Sequence, residues 1–176
     1  MRVERHQVYP VSARTLVDVL THQDFFRWRL GARGEDDFHF DAFEQTSEGM
    51  LIRVHRELQI KSDRVPAVAR RFVGRGATLV TEFLWTETQT QPYQARYLFK
   101  LGSVPVEVKG QVRLLDEQGS AHQHIVVEVT SNVPLIGRKL VEMVGERVEK
   151  ALDSDYRGTL RYLEKQGLVG DTSSEA

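Results

Sequence analysis

One apolar stripe near the C-terminus constrains the fold more than any other feature of the sequence. From Pro134 onward, Leu140, Val141, Val144, Val148, Leu152, Tyr156, Leu160 and Leu163 recur at helical spacing, and Gly167 is placed to stop the helix. At about 1.5 Å per residue, a helix over residues 135 to 165 reaches about 45 Å. Its continuous apolar face needs an equally extended partner surface. The remainder of the chain must supply it.

Residues 37 to 132 supply it as strands, because their apolar residues recur with a period of two. Two hairpins are read from the registers that collect apolar residues on one face. In the first, 37 to 46 pairs with 50 to 60 around the loop Ser47-Glu48-Gly49, with Gly49 in the left-handed region and Thr46 opposite Met50. That register aligns Ala42 with Val54 and Phe38 with Leu58 inside, and Asp41 with His55 and His39 with Glu57 outside. In the second, 93 to 101 pairs with 104 to 115 around Gly102-Ser103. It matches Leu101 with Val104, Phe99 with Val106, Tyr97 with Val108, Ala95 with Gly110 and Tyr93 with Val112. Strands at 78 to 88 and 122 to 132, the latter after the turn Asp116 to Gly119, complete the sheet.

Ahead of these, residues 2 to 9 read as a strand that Pro10 ends. Ser12 then caps a helix carrying Leu16, Val17, Val19 and Leu20. A second short helix over 23 to 30 carries Phe25, Phe26, Trp28 and Leu30 and stops in the run Gly31 to Gly34. The expected fold class is α+β: a curved antiparallel sheet of about seven strands around a long C-terminal helix, with two short helices after the first strand. The 176 residues suit one domain, read as 1 to 168 with a small polar tail at 169 to 176.

A formal net charge of -1 gives no electrostatic reason to expect nucleic acid. Without cysteine there is no disulfide framework and no thiolate chemistry. The opening MRVERHQVYP lacks the apolar core of a signal peptide, and no apolar run is long enough to span a bilayer, so a cytoplasmic location without membrane insertion is expected.

The order strand, two helices, six strands, long helix resembles the START-like superfamily of helix-grip proteins, which includes birch-pollen-allergen-like proteins, lipid-transfer domains and polyketide cyclases. Within it, VPAVARRFVG at 65 to 74 and the strand ending in Trp85 are similar to a bacterial domain-of-unknown-function family, number 2505. The resemblance covers about residues 1 to 165. It implies the fold and an internal cavity, and it carries over no catalytic residue.

Several side chains are candidates for lining such a cavity. Ala95 and Gly110, expected opposite one another, are small residues among Tyr93, Tyr97, Phe99, Val108 and Val112, and they either floor a cavity or permit a bulge. Trp85 from the neighbouring strand, with Val144 and Val148 from the helix, closes the expected lining. Arg56 falls on the same apolar face, opposite Phe40, with Glu44 farther along it. A guanidinium there needs a carboxylate such as Asp155, solvent at the strand's end, or a ligand's acidic head. The basic amphipathic segment 61 to 76, with Arg64, Arg70, Arg71 and Arg75 among Val65, Val68, Phe72 and Val73, reads as a cover over one end of the sheet or a gate.

The histidines are expected outside. His39 and His55 lie beside Asp41 and Glu57, and His122 and His124 lie two residues apart, where cross-strand charge pairing accounts for them without a metal. No cofactor is expected. The leading functional expectation is a small apolar or amphipathic ligand, lipid-like or polyketide-like. Burying roughly 300 Å² of it is worth about 7 kcal/mol before association costs of at least about 4. A polar anchor such as Arg56 must add the rest. The alternatives are a cyclase- or dehydratase-type enzyme using Tyr93 or Tyr97 as proton donor, and a cavity-free interaction module.

Overall fold

Ser12 turns the first strand into the first helix. Its backbone is extended (φ -68°, ψ 153°), and its hydroxyl accepts a hydrogen bond from Thr15 N, which caps α1, Ala13–Leu20. The Ala13 N–H donates to Asp116 Oδ1 at 2.6 Å, tying the start of that helix to the sheet. The computed structural model describes residues 1–31, 37–59, 67, 69–72 and 76–169. Before α1 lies β1, Arg2–Tyr9, and after it α2, Gln23–Gly31. A meander follows: β2, Phe38–Thr46; β3, Gly49–Gln59; β4, Gly76–Glu87; β5, Tyr93–Leu101; β6, Glu107–Glu117; β7, Ser120–Thr130. The last element is α3, Gly137–Lys165.

The seven strands form one curved antiparallel sheet in the order β1-β7-β6-β5-β4-β3-β2. Strands β1 and β2 are therefore the two edges, and α1 and α2 carry the chain from one to the other. Helix α3 lies against the concave face and packs chiefly on β1, β7 and α2. Val3, Val127 and Val129 are fully buried on the sheet, and Leu140, Val144, Val148 and Leu163 are buried on α3. Each such side chain is worth about 1.5–3 kcal/mol of transfer free energy. The amphipathic stripe thus has its partner.

Both predicted hairpins form, but in other registers. The first turns through two residues, so that Thr46 faces Gly49 and Gln45 faces Met50. Gly49 has φ +138°, and a β-carbon there would stand 2.0 Å from Trp85 O, so the position excludes any side chain. Farther out, a bulge between Phe40 and Ala42 shifts the pairing again. Phe40 then faces Val54 and Phe38 faces Arg56, replacing the expected pairs of Ala42 with Val54 and Phe38 with Leu58. The bulge also turns Phe43, opposite Ile52, inward, and leaves Glu44 exposed opposite Leu51, on the face away from Arg56.

In the second hairpin the tight turn is present, with Val104 N donating to Leu101 O at 3.0 Å and Gly102 at φ +50°. Pro105 then forces a second turn, in which Val106 N donates to Val104 O at 2.8 Å. Residues 104–106 loop out of the ladder, and every expected pair slips by two. Tyr97 faces Gly110, Ala95 faces Val112, Phe99 faces Val108 and Tyr93 faces Leu114. An even slip preserves which face each residue occupies.

Candidate functional site

Where α3 leaves β1 and β7 and passes over the middle of the sheet, it does not reach the floor. A cavity of about 120 Å³ remains among β1, the strands β3 to β7, and all three helices. Phe26, Phe83, Trp85 and Phe99 form its apolar wall. Phe26 sits within an aromatic group built by the β2 bulge, its ring centroid 6.3 Å from Phe40, 6.2 Å from Phe43 and 5.9 Å from Phe83.

The polar wall is set by α2 and α3. Arg29 is three and four residues after Phe26 and Phe25, so it shares their buried face and its side chain is only 15% exposed. Its guanidinium lies 5.8 Å and 5.9 Å from the Phe25 and Phe26 ring centroids. One Nη2–H donates to Asp155 Oδ2 of α3 at 2.7 Å. The Nε–H is buried and meets no acceptor among the described residues. Arg56 of β3 borders the same cavity, so two guanidiniums and the carboxylate of Asp155 share its wall.

Uncharged polar groups complete the wall. Gln7 and Gln123 are 6% exposed, and the Tyr9 hydroxyl lies 2.9 Å from Gln7 Oε1 and 3.2 Å from Gln123 Oε1. Gln7 Nε2 donates to Leu152 O at 3.3 Å, holding β1 to α3. The Tyr97 ring stacks on Phe83 at 5.1 Å and lies across Gly110, whose missing β-carbon would come within 2.7 Å of Tyr97 Cδ1. Burial pushes the Tyr97 phenol well above the ordinary tyrosine range; Asp155 pushes the same way, and Arg29 and Arg56 oppose it. Tyr97 keeps some accessible surface because it borders the cavity. Burial likewise raises Tyr9. Both phenols stay protonated as donors, and neither is tuned for acid–base exchange near neutrality. Among the described residues on the wall there is no histidine, cysteine, serine or lysine.

Of the residues expected from the sequence to line a cavity, Arg56, Trp85, Tyr97, Phe99 and Val112 border it. Val144, Val148 and Val108 are buried away from it, as are Tyr93, Ala95 and Gly110. The Ala95 and Gly110 pair is corrected outright. They do not face one another, and the space over Gly110 is filled by Tyr97. Asp155, offered as a partner for Arg56, pairs with Arg29 and borders the cavity together with Arg56. Sequence reasoning misses Arg29, Gln7 and Gln123. Helical spacing from Phe25 marks the first, and strand parity with Val3 and Tyr9 marks the second. Most of the 61 to 76 segment, the run 32 to 34 and the tail from 170 lie outside the described residues. Within that segment, Ala69 is buried and Phe72 packs on the core with Arg71 4.6 Å from its ring centroid.

The sequence matches the family model described as "Protein of unknown function (DUF2505)" over residues 4–163. Among curated proteins none matches. The fold is similar to that of TTHA0849 from Thermus thermophilus (TM-score 0.62, 13% identity, 94% of this chain and 99% of that one covered). It is also similar to a START superfamily protein from Mycobacterium smegmatis (0.55, 11%, 94% and 98%). A third neighbour is norcoclaurine synthase from Thalictrum flavum, solved in complex with dopamine and hydroxybenzaldehyde (0.57, 9%, 94% and 87%).

Proposed function

The chain belongs to the DUF2505 family of proteins of unknown function and has a START-like fold, and from that premise we propose that it binds a small amphipathic molecule with an acidic group. The acid lies against Arg29 and Arg56, and the apolar part against Phe26, Phe83, Trp85 and Phe99. The observation that carries this reading is the Arg29 Nε–H, buried in a side chain that borders the cavity and without an acceptor among the described residues. Leaving a donor unpaired in the interior costs about 1–3 kcal/mol, and a carboxylate oxygen removes that cost.

Volume sets the size class. A cavity of about 120 Å³ is somewhat smaller than an engineered cavity of about 150 Å³ that takes benzene, so its apolar end suits at most a single ring, with the acidic group directed at the arginines, and not a long acyl chain. The dopamine and hydroxybenzaldehyde held by the norcoclaurine synthase neighbour are single-ring molecules too, although neither carries a carboxylate. Burying roughly 200 Å² of such a ligand gives about 5 kcal/mol, little more than the cost of association. The charged hydrogen bonds therefore decide the affinity.

Native mass spectrometry of the purified protein tests the assignment. The wild type is expected to retain an acidic molecule of low mass, and Arg29→Lys, which keeps the charge beside Asp155 but removes the Nε–H, is expected to weaken retention about 10-fold. Arg56→Leu is expected to abolish it. Equal occupancy in all three proteins would mean that the arginines are not the anchor.

A further inference from the structure

The bulge that moves the β2–β3 register has a second effect, on the outer face. The sequence-based pairing sets His39 against Glu57 and Asp41 against His55, an arrangement of separate ion pairs. The observed pairing puts His39 directly opposite His55, with the rings stacked at 4.5 Å and inclined by 20°. Asp41 is the bulged residue, and its carboxylate closes over both imidazoles. Asp41 Oδ1 is 3.0 Å from His39 Nε2, and Oδ2 is 3.6 Å from His55 Nδ1. All three ligand atoms lie within 4.8 Å of one another.

We propose that His39, His55 and Asp41 bind a divalent first-row metal ion, zinc foremost. Ligands about 2.0–2.2 Å from a tetrahedral zinc stand roughly 3.3–3.6 Å apart, and the three ligand atoms here, already within 4.8 Å of one another, reach that spacing by small side-chain shifts. Two imidazoles with one carboxylate suit zinc and its neighbours and disfavour magnesium and calcium, which take oxygen ligands.

The surroundings are those of a supported ligand. His55 directs Nδ1 at the proposed ion and Nε2 at Glu57 Oε1, 2.9 Å away. Glu57 in turn accepts from Thr78 Oγ1 of β4 at 3.0 Å and 3.3 Å. A carboxylate on the far nitrogen fixes the tautomer and orientation of a ligating histidine. Because β2 is an edge strand and the His39 side chain is 63% exposed, the remaining coordination position opens to solvent. The ion would clamp the bulged edge strand onto β3, next to Arg56 on the cavity side.

Isothermal titration of the full chain with zinc chloride in a non-chelating buffer tests this. One equivalent is expected to bind, with affinity reduced more than about 10-fold by Asp41→Asn or by His39→Ala and about 10-fold by Glu57→Gln. His122→Ala and His124→Ala, which alter the other histidine patch of the sheet, are expected to leave the affinity unchanged. Circular dichroism of each variant confirms that it is folded. No binding to the wild type at about 100 µM zinc, a concentration well above the dissociation constants of supported zinc sites, or binding that Asp41→Asn leaves intact, would overturn the site.

Discussion

His55 and Arg56 are neighbours in one strand, yet they work in opposite surroundings. On the outer side His55 is held by Asp41 and Glu57, whose side chains are 32% and 50% exposed, and water shares their charge. On the inner side Arg56 borders a cavity with Arg29, whose pairing with Asp155 leaves only 15% and 25% of the two side chains exposed. Exposed pairs contribute little to stability, whereas removing one member of an enclosed pair leaves the other charge stranded. The inner face should therefore be intolerant of change and the outer face forgiving, whatever ligand each holds.

Removing the inner carboxylate is the severest test of that contrast. Asp155→Ala leaves two guanidiniums facing a cavity without it and is expected to cost about 3 kcal/mol, read as a lower urea midpoint. A loss no larger than that of Asp41→Asn would erase the distinction between the faces. A steric test comes next. Gly110→Ala places a methyl 2.7 Å from Tyr97 Cδ1 and 3.3 Å from Val127 Cγ2, so the ring, which borders the cavity, must shift. About 1–2 kcal/mol of stability should be lost, with ligand retention falling as well.

The smallest effect is electrostatic and depends on pH. The hydrogen bond with Glu57 raises His55 above its ordinary 6.5, and the same bond lowers Glu57 below its ordinary 4.5. The histidine's contribution is complete below 6.5 and disappears as pH rises through its higher folded value. The carboxylate's contribution is complete above 4.5 and disappears as pH falls through its lower folded value. With metal chelated, the difference in urea midpoint between wild type and Glu57→Gln should be greatest between pH 4.5 and 6.5 and shrink as the solution becomes alkaline. A difference that widens in alkaline solution would contradict the assignment.

The two faces also differ in how far the sequence discloses them. Element types and order are legible because α3 and the strands carry unambiguous periods, and the sheet partner of α3 follows from its length. Register is not legible. The additional residue at Asp41 and the Pro105 turn each leave the local apolar pattern intact while moving the partners. Parity survives the slip of two in the β5–β6 hairpin, so Tyr97 and Phe99 are placed on the correct face. It fails at Ala42 and Glu44, beyond the bulge. The inner polar wall is hidden for another reason: Arg29 and Gln7 are polar residues on buried faces, which apolar patterning passes over.

The central claim is that the cavity recognises an acid. An amide nitrogen–proton NMR titration of the wild type with benzoate and, separately, with benzyl alcohol tests it most directly. Benzoate should shift amides around Arg29, Arg56 and Tyr97, bind at least about 10-fold more tightly than the alcohol, and lose that advantage in Arg29→Lys. Equal affinities for the two compounds, or shifts scattered away from those residues, would contradict it.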